Sequence, residues 1–327
     1  MVQGGPIVQI GVILLSILGL WIGARFLVDA VVRLARRFGL SDLTIGLTIV
    51  AMGTSTPELA VSVDAALKGA GDIAVANVLG SNIYNLAFIL GVISLLKVIP
   101  VEKSLIHRDG FALLASTLVG GIAIFDLQIT RFEGTLLAGV FVAYTVYLLR
   151  ANQSDSTVTT SQSPEGGVTS PVTERVNFRG RDFGLLLGGL ALVLVSGDYM
   201  VAAASELARS VGISEWVIGG TIVAAGTSTP EFAVSLMALQ RGSLGVSVGN
   251  VVGSNIYNVT GILGIAAVVN PLVVSSLALE TLAWLAGISL LMVAALWTGR
   301  ILSRLEGALL ATSEIARWIL GLLGLVG

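Results

Sequence analysis

Fifty-four residues beginning at Gly39 (GLSDLTIGLTIVAMGTSTPELAVSVDAALKGAGDIAVANVLGSNIYNLAFILGV) recur without a gap from Gly212 (GISEWVIGGTIVAAGTSTPEFAVSLMALQRGSLGVSVGNVVGSNIYNVTGILGI), with 31 identities. The same offset of 173 residues pairs RFEGTLL at 131–137 with RLEGALL at 304–310. Self-similarity that reaches so far beyond its central phrase marks the chain as two copies of one unit. Whatever the first half folds into, the second half must fold into as well.

The unit belongs in a membrane. Of the 327 residues, 55% are hydrophobic and 12% charged, with a mean hydropathy of +0.94, a balance no soluble core requires. Apolar segments able to cross about 30 Å of hydrocarbon lie near 7–32, 43–67, 73–96, 110–126 and 132–149. A second set lies near 183–208, 214–239, 245–269, 272–297 and 305–325. Between the sets, ANQSDSTVTTSQSPEGGVTSPVTERVNFRGR reads as a flexible polar linker. The expected fold class is an all-α polytopic membrane protein with ten transmembrane helices in two inverted-topology five-helix repeats. Residues 1–150 form the first repeat, with the duplicated segment at 39–92; 151–181 form the linker; 182–327 form the second repeat, with the duplicated segment at 212–265. MVQGGP lacks the positive start of a signal peptide, so the first apolar run reads as a permanent span.

Other classes fall away on composition. A net charge of −2 without a basic tract excludes nucleic acid as an expected partner, and the absence of cysteine excludes disulfides and thiolate chemistry. The one histidine, His107, sits in the charged stretch VEKSLIHRDG and reads as a solvated loop residue. No catalytic triad or phosphate loop occurs, so the chain is expected to be no enzyme and to need no organic cofactor. The lipid bilayer is its expected partner, and a monomer is the expected state.

Five spans per copy is an odd number, so the second copy enters from the opposite face. A pseudo-two-fold axis in the membrane plane is the architecture of secondary transporters, whose sites lie near the midplane on interrupted helices. Positive charge sets the sidedness. With both termini outside, the inner face collects Arg33, Arg36, Arg37, Lys97, Lys103, Arg108, Arg150, Arg175, Arg179, Arg181, Arg241, Arg300 and Arg304, against Lys68, Arg131 and Arg209 outside. The linker is therefore expected in the cytoplasm and the protein in the plasma membrane.

The twice-used phrase GTSTPE is the interruption. Gly53 with Pro57, and Gly226 with Pro230, weaken the helical ladder and free carbonyl oxygens. Thr54, Ser55 and Glu58 share a helix face, as do Ser81 and Asn85 of GSNIYN; Thr227, Ser228, Glu231, Ser254 and Asn258 repeat them. Two glutamates, six hydroxyls and two amides are all hard oxygen donors, and a carboxylate in hydrocarbon is functional by default. Calcium takes such ligands, and two glutamates balance one Ca²⁺. Sodium takes the same donors, and protons on Glu58 and Glu231 are an alternative. Hydroxyl faces of kinked helices also serve as interhelical glue, but a perfect duplicate carrying a glutamate exceeds that need. Gly80 and Gly253 read as close-packing positions. Arg25 with Asp198 forms a candidate salt bridge, Glu314 with Arg317 a pair at the bundle edge, and Asp64 and Glu206 wetted span ends.

GTSTPELAVSV with VANVLGSNIYN, and GTSTPEFAVSL with VGNVVGSNIYN, resemble the two alpha-repeats of the calcium/cation antiporter superfamily, especially its prokaryotic sodium/calcium exchangers. The resemblance covers both repeats. It implies four motif helices packed centrally, with the long first helix of each half sliding across them. It implies further that Glu58 and Glu231 bind both Ca²⁺ and Na⁺ as transported ions, with backbone oxygens of Thr54 and Thr227 completing the calcium site. Ser55, Ser81 and the carbonyl of Ala51 would line one sodium site; Ser228, Ser254 and the carbonyl of Ala224 would line its mirror image. Asn85 and Asn258 would contact the middle of the pocket. Many members carry aspartate at the position of Asn258, and its absence here speaks against a potassium-dependent exchanger. The family's usual three Na⁺ per Ca²⁺ would move one net charge, worth about 2.3 kcal/mol per 100 mV. The expected function is a secondary antiporter exchanging Na⁺ for Ca²⁺ by alternating access, with a proton/calcium antiporter as the alternative in mechanism and a cation channel as the alternative in class.

Overall fold

The computed structural model describes residues 5–100, 105–158, 180–210, 224–299 and 301–322. Most of the expected linker, and the opening of the second duplicated segment at 212–223, lie outside the described residues.

Helix α1 (Pro6–Phe38) ends at Gly39, whose φ of +63° suits a residue without a Cβ. Ser41 caps α2 (Asp42–Thr54) by accepting a hydrogen bond from the Thr44 amide. The ladder breaks at Ser55 (φ −81°, ψ 17°), and α3 (Thr56–Leu67) restarts with Pro57 in its first turn. There the missing amide costs nothing. The Gly53 carbonyl, four residues before the proline, takes a hydrogen bond from the Thr56 hydroxyl at 2.7 Å. Helix α4 (Gly71–Leu96) carries a π-helical turn at Tyr84–Ile89. Helix α5 (105–124) and α6 (Arg131–Val158) complete the first half.

The second half repeats this plan: α7 (Gly180–Ser210), α8 (Ala224–Thr227), a break at Ser228, α9 (Thr229–Gln240), α10 (Leu244–Val269), α11 (Leu277–Gly299) and α12 (Arg304–Leu322). The π-helical turn of α10 at Tyr257–Ile262 falls at the offset of 173 from that of α4. The two halves embrace reciprocally. Strand β1 (Ile99–Pro100) pairs with β4 (Ile301–Leu302), and β2 (Gln128–Ile129) pairs with β3 (Leu272–Val273), both antiparallel. Adding 173 to β1 gives β3 and to β2 gives β4, so one ladder is the image of the other. The chain is otherwise helical, as expected, and these two-residue ladders are where the segments between helices pair their backbone with the other half.

Among the described residues six helices, α1, α4, α6, α7, α10 and α11, are long and apolar enough to cross a membrane. Helices α4 and α10 are the buried pair, 78% and 89% within the protein against 17–33% for the other four. Around them, α1 lies along α7 at backbone distance: a Cβ on Gly23 would stand 2.9 Å from the Gly189 carbonyl oxygen, the close approach that small residues permit in lipid. Arg33 of α1 and Asp182 of α7 pair at 2.8 Å.

Some sequence expectations are corrected. His107 lies in a helical turn at the head of α5, exposed and edge-on to Trp297 at 5.0 Å, and not in a loop. Glu314 is buried at 1% exposure, accepting from Arg317 Nη2 at 2.6 Å and Nε at 2.8 Å, and not at the bundle edge. Gly253 packs closely on α2, whereas no described atom lies within 4 Å of a Cβ built at Gly80. Arg25 and Asp198 are both exposed and form no pair among the described residues. Asp64 is exposed and Glu206 half-buried, and they pair with Lys68 and Arg209, as span ends should.

Candidate cation site

Glycines bring the site together. Gly245, Gly249 and Gly253 recur every four residues on one face of α10, and a Cβ on each would come within 2.8, 2.6 and 2.5 Å of α2 backbone atoms. The two helices therefore meet backbone to backbone. That contact sets the broken end of α2, with Ala51, Thr54 and Ser55, against Asn250 and Ser254 of α10.

The two breaks are crossed between halves. The Ser55 hydroxyl donates to Oε1 of Glu231 at 2.7 Å, and the Ser228 hydroxyl donates to Oε1 of Glu58 at 3.0 Å. Ser254 Oγ lies 3.4 Å from the same Glu231 oxygen and 3.5 Å from the Ala51 carbonyl oxygen. Thr54 Oγ1 donates to Asn250 Oδ1 at 3.0 Å. On the other side Ser81 and Thr227 hydroxyls stand 3.5 Å apart. Ser55 and the Ala51 carbonyl thus meet Ser254 beside Glu231, while Ser81 meets Thr227. Crossing of the halves is the reason, because each broken helix faces the opposite copy. Ala224 opens α8, and its side chain lies outside the described residues.

Asparagines of α4 and α10 form an amide lattice. Asn82 Nδ2 donates to the Asn255 carbonyl and Asn255 Nδ2 to the Asn82 carbonyl, both at 3.0 Å. Asn85 Nδ2 donates to Asn255 Oδ1 at 3.1 Å and Asn258 Nδ2 to Asn82 Oδ1 at 3.0 Å. Behind each glutamate a further amide fixes the helix: Asn77 donates to the Glu58 carbonyl and the Ser62 hydroxyl, and Asn250 to the Glu231 carbonyl and the Ser235 hydroxyl. Sequence reasoning missed Asn77, Asn82, Asn250 and Asn255, although each is an identity of the repeat and was available to it.

Every side chain in this constellation but Asn77 is buried; Glu58, Glu231, Asn85 and Asn258 are at 0% exposure. Four of its oxygens have no hydrogen-bond partner among the described residues: Glu58 Oε2, Glu231 Oε2, Asn85 Oδ1 and Asn258 Oδ1. All are acceptors, and they form two pairs at the offset of 173. No lysine or arginine occurs in α2, α3, α4, α8, α9 or α10. Among the described residues no three acidic or histidine side chains cluster, so the site is two carboxylates among neutral oxygens.

The sequence profile of the family described as "Sodium/calcium exchanger protein" matches residues 8–150 and 182–315. The sodium/calcium exchanger MaX1 of Methanosarcina acetivorans is 30% identical over 335 residues, covering 93% of this chain and 96% of that one. The inner membrane protein YrbG of Escherichia coli is 34% identical over 251 residues, 75% of each chain. Among solved structures, the sodium-calcium exchanger NCX_Mj soaked with 2.5 mM Na⁺ and 0.1 mM Ca²⁺ matches with a TM-score of 0.79 and 30% identity, over 95% of this chain and 97% of that one.

Proposed function

The chain belongs to the sodium/calcium exchanger protein family, a multi-pass membrane transporter family, and on that premise we propose that it is a secondary antiporter exchanging Na⁺ for Ca²⁺ across the plasma membrane. The carrying observation is the set of four unpartnered acceptors on Glu58, Glu231, Asn85 and Asn258. A buried acceptor left without a donor costs about 1–3 kcal/mol, more when it is charged. Two carboxylates with no basic partner on their helices make a site whose missing component is positive charge. Hydroxyls of Ser55 and Ser228 hold one oxygen of each carboxylate and leave the other free.

A Ca²⁺ ion supplies two charges to two glutamates and accepts six to eight oxygens; Na⁺ ions use the same donors. Competition for one charge pair is the basis of exchange: the empty site, with two buried anions, resists crossing, while either loaded form crosses. Read as ten spans in two inverted halves, the chain would carry the shared site near the midplane, as secondary transporters do. The breaks at Ser55 and Ser228 are where each half opens it to one side, with both termini outside and 151–181 in the cytoplasm.

The test is uptake of radiolabelled Ca²⁺ into proteoliposomes at clamped voltage, preloaded with Na⁺, with K⁺ or choline, or with an acid interior. Uptake that requires internal Na⁺ is the expected result. Uptake that follows the proton gradient and ignores Na⁺ would replace Na⁺ by protons on the two glutamates, and uptake down the Ca²⁺ gradient with no counter-ion would make the path a channel.

A further inference from the structure

A cavity of about 740 Å³ opens between α1, α7 and α9, with Tyr84 and Trp318 at its back. Its volume falls within the roughly 300–1,000 Å³ of small-ligand sites, and its walls are almost wholly apolar. Trp21, Met237 and Gln240 also line an adjoining pocket of about 310 Å³, to which Arg25 and Arg241 are added. An apolar crevice therefore ends in a cationic mouth.

The charges at that mouth do not balance. Arg241 is paired with Asp29 at 3.1 Å. Arg25 lies inside the apolar span Pro6–Ala35, is exposed, and has no acidic or hydrogen-bonding partner among the described residues. A cation in hydrocarbon without a counter-ion is expensive and bends its stem toward the nearer headgroups. Trp21 stands four residues before it, hence on the same helix face, and tryptophan favours the headgroup level.

We propose that this crevice binds one anionic phospholipid, its phosphate on Arg25 and Gln240 and an acyl chain running past Trp21 and Phe232. A zwitterionic lipid carries its own cation and leaves the Arg25 charge unanswered; an anionic one neutralises it. The inner wall includes Ala225, Gly226 and Thr229, so the chain lies against the back of the broken helix whose front carries Glu231. Binding is independent of the transport reading and is measured without flux.

Tryptophan quenching by brominated acyl chains tests it, because Trp21 and Trp318 line the crevice while Trp284 and Trp297 do not. The purified protein is reconstituted in phosphatidylcholine and titrated with brominated phosphatidylglycerol or brominated phosphatidylcholine. The expected half-quenching mole fraction is about fivefold lower for the anionic lipid, the effect of one basic residue on an anionic headgroup. Arg25→Gln abolishes that preference, Arg25→Lys retains it, and Trp21→Phe with Trp318→Phe removes the preferential component. Equal quenching by both headgroups, or a preference that survives Arg25→Gln in protein with unchanged circular dichroism, overturns the site. So does full competition by soluble glycerol phosphate, which would mean an anion site without a lipid.

Discussion

Ser55, at the break between α2 and α3, gives its hydroxyl hydrogen to Glu231 of the other half at 2.7 Å, and not to Glu58 three residues further along its own helix. Ser228 and Glu58 repeat the exchange at 3.0 Å. Each copy of the repeat therefore orients the carboxylate of the other, and neither half holds a complete site. A movement that separates the halves at one break must alter the donors to the opposite glutamate. This ties the two breaks to each other through the two glutamates.

Charge and orientation separate in two kinds of variant. Glu58→Gln or Glu231→Gln removes a charge that no neighbouring residue replaces, and Ca²⁺ uptake is expected to vanish in each while the fold remains. Ser55→Ala or Ser228→Ala removes one hydrogen bond to a charged group, about 1.5–3 kcal/mol, and raises the half-saturating Ca²⁺ concentration about tenfold or more. Concentration-dependent uptake by reconstituted protein, beside its thermal unfolding, makes the comparison. Wild-type uptake by either glutamine variant would remove the paired-carboxylate site.

The duplication was legible because offset and identity need no knowledge of packing, and it carried the helical breaks, the buried pair α4 and α10 and most of the constellation. What remained hidden depends on which faces meet. Ser55 and Ser81 share a repeat, but the sequence does not show which groups of the other half they face, Glu231 and Thr227. Asn82 and Asn255 were passed over because a lone asparagine in an apolar helix does not announce a partner 173 residues away. Gly80 and Gly253 look equivalent in sequence, yet only Gly253 continues the stripe begun by Gly245 and Gly249; the matching residues of the first half are Asp72 and Ala76.

That amide lattice should be cooperative. Asn82→Ala leaves the Asn255 carbonyl and the Asn258 amide without their partners, and Asn255→Ala does the same to Asn82 and Asn85. An orphaned buried group costs about 1–3 kcal/mol, so each single variant should lower the unfolding temperature by several degrees. The double variant is expected to lose less than the sum of the two, since contacting residues are non-additive. Thermal unfolding in detergent of the four proteins completes the cycle; strict additivity would mean that the two asparagines do not act on each other.

Backbone contact at the site makes a second class of residue sensitive. A Cβ on Gly253 would stand 2.5 Å from the Leu47 carbonyl oxygen, whereas at Gly139, on the exposed face of α6, no described atom lies within 4 Å. Gly253→Ala must push α2 from α10, displacing Thr54 and Ser55 from their partners, and should lose stability and uptake together. Gly139→Ala should leave uptake unchanged and stabilise the helix slightly, as alanine does over glycine by about 1 kcal/mol. Expression yield, unfolding temperature and uptake of the two variants decide it, and a fully active Gly253→Ala protein would show that the α2 and α10 backbones separate during turnover.

Asn258 offers a chemical probe of the pocket's interior. Its Nδ2 donates to Asn82 Oδ1, while its Oδ1 has no partner. Asn258→Asp keeps the shape and exchanges the donor for a carboxyl group. Protonated, that group still donates to Asn82 Oδ1; ionised, it sets an oxygen anion against Asn82 Oδ1 and adds a third negative charge to the two glutamates. The protonated form reproduces the parent pocket and the ionised form does not, so the variant should acquire a pH dependence beyond any that Glu58 and Glu231 give the parent. Compared with the parent at the same pH, the variant should keep its Ca²⁺ uptake in acid and change its cation selectivity in alkali. The measurement is uptake across pH with Ca²⁺, Sr²⁺ and K⁺ in competition, for the parent and the variant. Profiles that coincide would mean that this side chain does not face the transported ions, and the free oxygens of the site would then reduce to those of the two glutamates and Asn85.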